Sequence, residues 1–284
     1  MPDYGNDIRF GYFLVPDASA AQGILDTAAV LDRVGFDLVG VQDHPYQRRF
    51  LDAWTLLSAI ASRTENLTVF PDVASLPLRP PAVLAKAAAS LDVLTGGRVE
   101  LGLGAGAFWD AIAAMGGPRR SPGESVQALR EAVAVMRLMW SGERAIRFDG
   151  DFYAVDGVHP GPVPAHPIGI WIGGYKPRML RLVGELGDGW LPSLGYIDDD
   201  GIAAATRTID DAATAAGRDP ARIRRILNVG DDIPRDELAQ RLTAFALDHG
   251  IDTFVLGGPA SDEQLSYLAQ DVFPAVRDAV DAAR

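Results

Sequence analysis

The sequence predicts a single (β/α)8 TIM barrel, with one hairpin inserted on its rim, as one domain over residues 1–284. Three observations lead there. Short apolar runs alternate with longer amphipathic stretches along the chain, the pattern of a parallel sheet wrapped by helices. The 284 residues, 48% of them hydrophobic, suit one barrel of about 250 residues plus an insertion. Glycine clusters follow several of the apolar runs, at the strand ends where such barrels carry their chemistry.

The elements follow in order. Strands are expected at Arg9–Val15, Leu38–Gln42, Leu67–Val73, Arg98–Gly104, Ile168–Ile172, Gly189–Pro192, Ile223–Val229 and Thr253–Leu256. Helices are expected near Ala20–Val34, Asp52–Arg63, Pro81–Leu94, Gly123–Trp140, Pro177–Leu186, Asp200–Ala216, Pro234–His249 and Ser261–Ala283. Pro81 suits a first helical turn, while Gly35 and Gly187 read as helix stops. Asp37 and Asp252 stand just before apolar runs, where helices hand over to strands. Pro192 holds the sixth strand to a short one. Between the fourth helix and fifth strand the rhythm breaks. Asp149-Gly150 there lies between two aromatic, β-prone runs and predicts a hairpin.

Composition excludes several classes. Lys plus Arg is 26 against 38 for Asp plus Glu, a net charge of −12, which argues against nucleic acid and anionic membranes as partners. Without cysteine there is no disulfide, thiolate nucleophile or Cys metal site. His44, His159, His166 and His249 are scattered, with no metal-ligand spacing, so no metal is expected. The N-terminus lacks the basic and apolar regions of a signal peptide, and no apolar run is long enough to span a membrane. A cytoplasmic protein is the expectation.

The stretch Gly96–Gly106 is the most informative. Gly102, Gly104 and Gly106 recur at every second residue and lie on one side of an extended chain. A strand that gives up side chains in this way makes room for something flat or anionic against its backbone. Glu100 shares that parity and reads as a buried partner of Arg98. A second site is Gly173-Gly174-Tyr175-Lys176-Pro177-Arg178, where an apolar strand runs into two glycines and a helix. Free amides at a helix start favour an anion, and Lys176 and Arg178 add positive charge, so the segment reads as a phosphate cradle or as a plain tight turn with surface bases. Gly257-Gly258-Pro259 is a rival cradle without a neighbouring cation. Asp43-His44 ends the second strand, where an imidazole serves proton transfer or merely caps a loop. Asp72 and Ser75 end the third strand and are placed to reach the same mouth. No Gly-x-Ser-x-Gly elbow supports a serine hydrolase.

With these motifs the chain resembles the bacterial luciferase-like superfamily, α/β barrels that use FMN or the deazaflavin F420. The likeness is strongest at Pro81–Asp92 with Gly96–Gly106, and at Pro167–Trp190. Asp43-His44 is most similar to the F420-dependent branch, which includes methylene-tetrahydromethanopterin reductases and sugar-phosphate dehydrogenases. The resemblance implies a hydride-transferring oxidoreductase with His44 and Asp43 as catalytic residues. It implies a non-prolyl cis peptide near Asp72-Val73, and a cofactor held by Asp72, Val73, Ala74, Gly104, Ala105, Gly106, Gly173, Gly174, Tyr175, Lys176 and Arg178. It also implies a homodimer acting on a small molecule. An FMN-dependent monooxygenase and a non-catalytic flavin-binding protein remain as alternatives. Two departures weigh against a sugar phosphate as substrate. Ala107 stands where those dehydrogenases carry glutamate, and Tyr46-Gln47-Arg48 where they carry tryptophan. Tyr46, Phe108 and Trp109 would instead line an aromatic mouth.

Overall fold

The computed structural model describes residues 3–284. Its strands are β1 (Arg9–Leu14), β2 (Leu38–Val41), β3 (Thr68–Pro71), β4 (Ala74–Ser75), β5 (Leu101–Gly104), β6 (Ile146–Asp149), β7 (Ala154–Val158), β8 (Ile170–Ile172), β9 (Gly189–Trp190), β10 (Arg224–Val229) and β11 (Thr253–Leu256). Nine of them form one parallel sheet in the order β3-β2-β1-β11-β10-β9-β8-β5-β4. β3 and β4 are halves of one barrel strand, so the sheet has the eight staves the alternation predicts. A parallel bridge between Val69 and Val99 joins β3 to the approach of β5 and closes the ring. The third strand differs from the expected Leu67–Val73: it stops at Pro71, is interrupted by the Asp72–Val73 cis peptide, and resumes at Ala74.

The helices are α1 (Ala21–Val34), α2 (Ala53–Ala61), α3 (Pro81–Thr95), α4 (Trp109–Ala114), α5 (Pro122–Trp140), α6 (Pro177–Leu186), α7 (Asp199–Ala215), α8 (Leu238–His249), α9 (Asp262–Tyr267) and α10 (Phe273–Ala283). α4 is absent from the sequence expectation, because six residues are too few for a periodic apolar stripe. The last expected helix is broken by a π-helical segment at Leu268–Val272. Beyond it Phe273 stacks on Phe10 of β1, with ring centroids 4.0 Å apart. Gly35 ends α1 in the left-handed region (φ 97°), whereas Gly187 ends α6 extended. The β6–β7 hairpin forms as predicted, with Asp149 closing β6 opposite Ala154 and the turn running over Gly150–Tyr153. The buried Glu131 of α5 holds its tip, accepting the amides of Asp151, Phe152 and Tyr153 at 3.2, 2.8 and 3.1 Å.

The barrel's N-terminal end is tied by one repeated device. An aspartate just before a strand accepts an amide from the first two residues of the neighbouring strand. Asp37 takes Phe10 at 2.7 Å, Asp188 takes Ile170 at 3.1 Å and Asp252 takes Arg225 at 3.2 Å. Each carboxylate also meets an arginine: Arg277, Arg137 and Arg224 respectively. This is why acidic residues stand at those helix-to-strand junctions. The expected Arg98–Glu100 pair does not form. Arg98 instead donates to the carbonyls of Ala61, Thr64 and Leu67, and Glu100 accepts the Gly169 amide at 2.6 Å.

Two apolar layers result. The larger lies between sheet and helices. The smaller fills the barrel with Leu38, Phe70, Trp171, Leu191, Ile226 and Val255, and Phe13 and Val73 pack against it. Val73 therefore joins the interior core to the mouth.

Candidate active site

The glycines of the β5 segment make room for the chain itself. A Cβ at Gly102 would overlap the Pro71 carbonyl oxygen, and one at Gly104 would lie 2.7 Å from Val73 Cγ2. A Cβ at Gly40 in β2 would lie 3.1 Å from Asp72 Cβ, and one at Gly173 would lie 3.4 Å from Val73 Cγ1. So the bulge at Pro71–Val73 is seated in a socket of glycines from three neighbouring strands. The expectation that a ligand requires the naked side of β5 is corrected, since the flat group lying there is the bulge. Gly106 has φ +101°, and a Cβ there would lie 2.7 Å from Pro77 and 2.8 Å from the Trp109 ring. Ala74 is fully buried and Ala105 nearly so.

Asp72 points from this bulge into the barrel. Its Oδ1 accepts from Asn228 Nδ2 at 3.1 Å, while its Oδ2 has no partner. Burial away from any cation pushes the carboxyl up to about 7, with the Asn228 bond opposing it. Asn228 also donates to Ser193 Oγ at 3.2 Å, and the Ser193 amide donates to the Tyr175 hydroxyl at 3.0 Å. A polar chain thus runs from the bulge to the turn after β8.

Asp43 and His44, adjacent in sequence, have separate fates. Asp43 is 1% exposed and turned away from the mouth. It receives a forked bond from Arg79 at 2.6 and 2.7 Å and the Ser75 amide at 2.9 Å. A carboxylate so fully bonded holds structure and is poorly placed to exchange a proton with a substrate. His44 is half-buried, stacked on Tyr46 (centroids 5.4 Å, 19°) and edge-on to Phe108 (5.4 Å, 68°). Burial lowers its proton affinity and Asp43 partly restores it, leaving it below the usual histidine range. The fold therefore favours the neutral imidazole. Phe108 is 57% exposed and completes an aromatic mouth with Tyr46, while Trp109 turns inward against Gly106.

At the turn after β8, the Gly173 amide is already used, bonding to the Leu103 carbonyl at 3.1 Å. Gly173 is therefore not free to bind an anion through its amide, unlike the residues that follow it. The amides of Gly174, Tyr175, Lys176 and Arg178 have no partner among the described residues. Gly174 must lack a side chain because Met179 fills the space beside it. Lys176 and Arg178 are exposed and enter no ion pair among the described residues. The turn after β11 is the opposite case. A Cβ at Gly258 would lie 2.8 Å from Asp231 Cβ, and the Gly258 carbonyl is taken by the Tyr12 hydroxyl. A carboxylate there repels an anion, so the two Gly-Gly turns differ in kind. Among the described residues no cluster of His, Asp or Glu is arranged to hold a metal ion.

A family model described as luciferase-like monooxygenase matches residues 8–245. The chain belongs to this family. This luciferase-like protein is 32% identical over 225 residues to an F420-dependent glucose-6-phosphate dehydrogenase of Intrasporangium calvum, covering 72% of this chain and 66% of that one. It is 28% identical over 278 residues to a 5,10-methylenetetrahydromethanopterin reductase of Archaeoglobus fulgidus, covering 97% of this chain and 79% of the reductase. A solved F420-dependent secondary alcohol dehydrogenase, in complex with an F420-acetone adduct, superposes with a TM-score of 0.85 at 21% identity, covering 96% of this chain and 100% of that one. That last likeness bears on the fold.

Two residues of the candidate site have no place in the sequence expectation. Asn228 had a signal: a lone amide in an otherwise apolar stretch of β10. Arg79 had none, because its partner Asp43 is 36 residues away along the chain.

Proposed function

We propose that the chain is an F420-dependent oxidoreductase that moves a hydride between the deazaflavin and a small, uncharged organic substrate. The observation that carries this reading is the turn at Gly174–Arg178, with unpartnered amides and two unpaired cations on the same rim as a neutral imidazole. The likeness to an F420-dependent glucose-6-phosphate dehydrogenase supports the same cofactor. The residues present fit such a group. The amides of Gly174, Tyr175 and Lys176 would hold its phosphate with Lys176 and Arg178. Val73, fixed in its glycine socket, offers an apolar shelf for a flat ring system.

When bound, the deazaflavin supplies a carbon that takes up or releases hydride. The chain's own residues do the rest. His44, being neutral, accepts a proton at a ring nitrogen when a hydroxyl is oxidised and returns it when a carbonyl is reduced. Tyr46 and Phe108 hold the imidazole between their rings and keep the approach apolar. The absence of an acid at Ala107 and the aromatic mouth favour neutral alcohols and carbonyl compounds over sugar phosphates.

The test is to titrate the protein separately with F420 and with FMN, then screen neutral alcohols and ketones for a change in F420 absorbance. F420 binding with turnover supports the reading. Tight FMN binding with substrate-dependent oxygen consumption replaces it with a monooxygenase. Binding of a cofactor without turnover on the panel, unaffected by His44→Ala, leaves a flavin-binding protein.

A further inference from the structure

Arg79 lies in the turn between β4 and α3, outside the aromatic shell of His44, with its side chain 18% exposed. Its Nε and Nη2 hold both oxygens of Asp43 at 2.6 and 2.7 Å, and Nη2 reaches Asp52 Oδ2 at 2.6 Å. Asp52 caps the N-terminus of α2, accepting the Thr55 amide at 2.9 Å. Asp43 also takes the amide of Ser75, two residues past the cis peptide. One planar guanidinium therefore fastens the end of β2, the bulge strand and a helix start together. The planar fork suits this, because two parallel bonds fix orientation as well as distance.

The electrostatics give the tie a second consequence. Asp43 is bonded through its own peptide to His44. Among the described residues it is the one charged group that bears on the imidazole, and the rings facing it, Tyr46 and Phe108, are uncharged at neutral pH. Arg79 neutralises that carboxylate. Without it, a buried, bare carboxylate would stand next to the imidazole.

We propose that Arg79 is a positioning residue: it locks Asp43 as a neutralised anchor, so that His44 enters the mouth from a fixed backbone and without a free carboxylate at its side. What the imidazole is used for rests on the function proposed above, but the tie itself does not. The test is therefore made on the full chain without cofactor, so that its failure is distinct from failure of that reading.

The imidazole of His44 is titrated by NMR with 13C-labelled histidine, its signal assigned by loss in His44→Gln. In the wild type it titrates below free histidine. In Arg79→Gln the midpoint moves up by about one pH unit, as an unscreened carboxylate stabilises imidazolium. In the pair Asp43→Asn/Arg79→Gln the rise disappears. An Arg79→Gln midpoint equal to the wild type, or a double variant as high as the single, overturns the proposal. Should Arg79→Gln fail to fold, Asp43→Asn decides, since it keeps the guanidinium. Its midpoint must fall below the wild type, and an unchanged midpoint is equally fatal. A merely structural arginine would alter stability without moving this titration.

Discussion

The two ends of the barrel use polar residues in opposite ways. At the N-terminal end most are bonded, Arg225 Nε and His249 Nδ1 excepted. Asp92, fully buried, accepts the amides of Val99, Ala165 and His166 and the His166 ring nitrogen. Asp37, Asp188 and Asp252 each combine a strand amide with an arginine. At the C-terminal mouth the polar inventory is left open. Among the described residues, Asp72 Oδ2 and Asn228 Oδ1 have no partner, four amides of the Gly174–Arg178 turn are unused, and Lys176 and Arg178 are unpaired. Buried polar groups cost free energy unless bonded. The bonded carboxylates of one end therefore stabilise the fold, while the open groups of the other add little to it.

Substitutions should separate the two ends. The largest effect is expected at the mouth. His44→Ala should lower turnover with F420 about 10²–10⁴-fold while the thermal midpoint and cofactor affinity stay close to wild type. Steady-state rates and fluorescence binding measure this, and a matching loss of stability would blur the contrast. Next comes Asp92→Ala at the opposite end. It leaves three amides unpaired and should cost about 3–5 kcal/mol of stability in urea unfolding. Cofactor affinity of the remaining folded protein should not change. Replacing both Lys176 and Arg178 with alanine should then weaken FMN or F420 by roughly tenfold or more, since charge-assisted bonds to phosphate are lost. Riboflavin, which lacks the phosphate, should bind both proteins alike.

The smallest effect carries a sign that distinguishes the ends. The Asp72 carboxyl titrates near 7 in the fold against about 4 unfolded, so the folded chain holds the extra proton between those values. Stability from this group thus falls as pH rises toward 7 and stays low above it. Asp72→Asn should stabilise the protein at pH 8 by on the order of 1–3 kcal/mol, and the gain should shrink as pH falls toward 5. Melting curves at the two pH values decide. A gain equal at both would place the origin in packing instead of charge.

Much of the barrel was legible because strands and helices carry their own periods and stops, as Pro81, Gly35 and Asp149-Gly150 did. What escaped was tertiary. The cis peptide at Asp72-Val73 was legible through the family resemblance, but its seating against Gly40, Gly102, Gly104 and Gly173 was not, and α4 is too short to show a period. At the site, Gly174–Arg178 was readable from a strand end, two glycines and nearby cations. The use of the Gly173 amide by Leu103 was not, because that bond depends on strand register. Asp43 looked chemical from its place beside His44, and only its distant partner Arg79 shows that it is a tether.

The socket around Val73 has a consequence for how this family member can vary. The side chain at 73 and the missing side chains at 104 and 173 share one volume, so they should vary together, whereas 102 is held by the Pro71 backbone. A methyl group gained at 104 is tolerable where 73 shrinks to alanine and harmful where it stays valine. Laboratory selections that diversify the mouth should therefore randomise these positions jointly, because a scan taken one site at a time would discard working combinations.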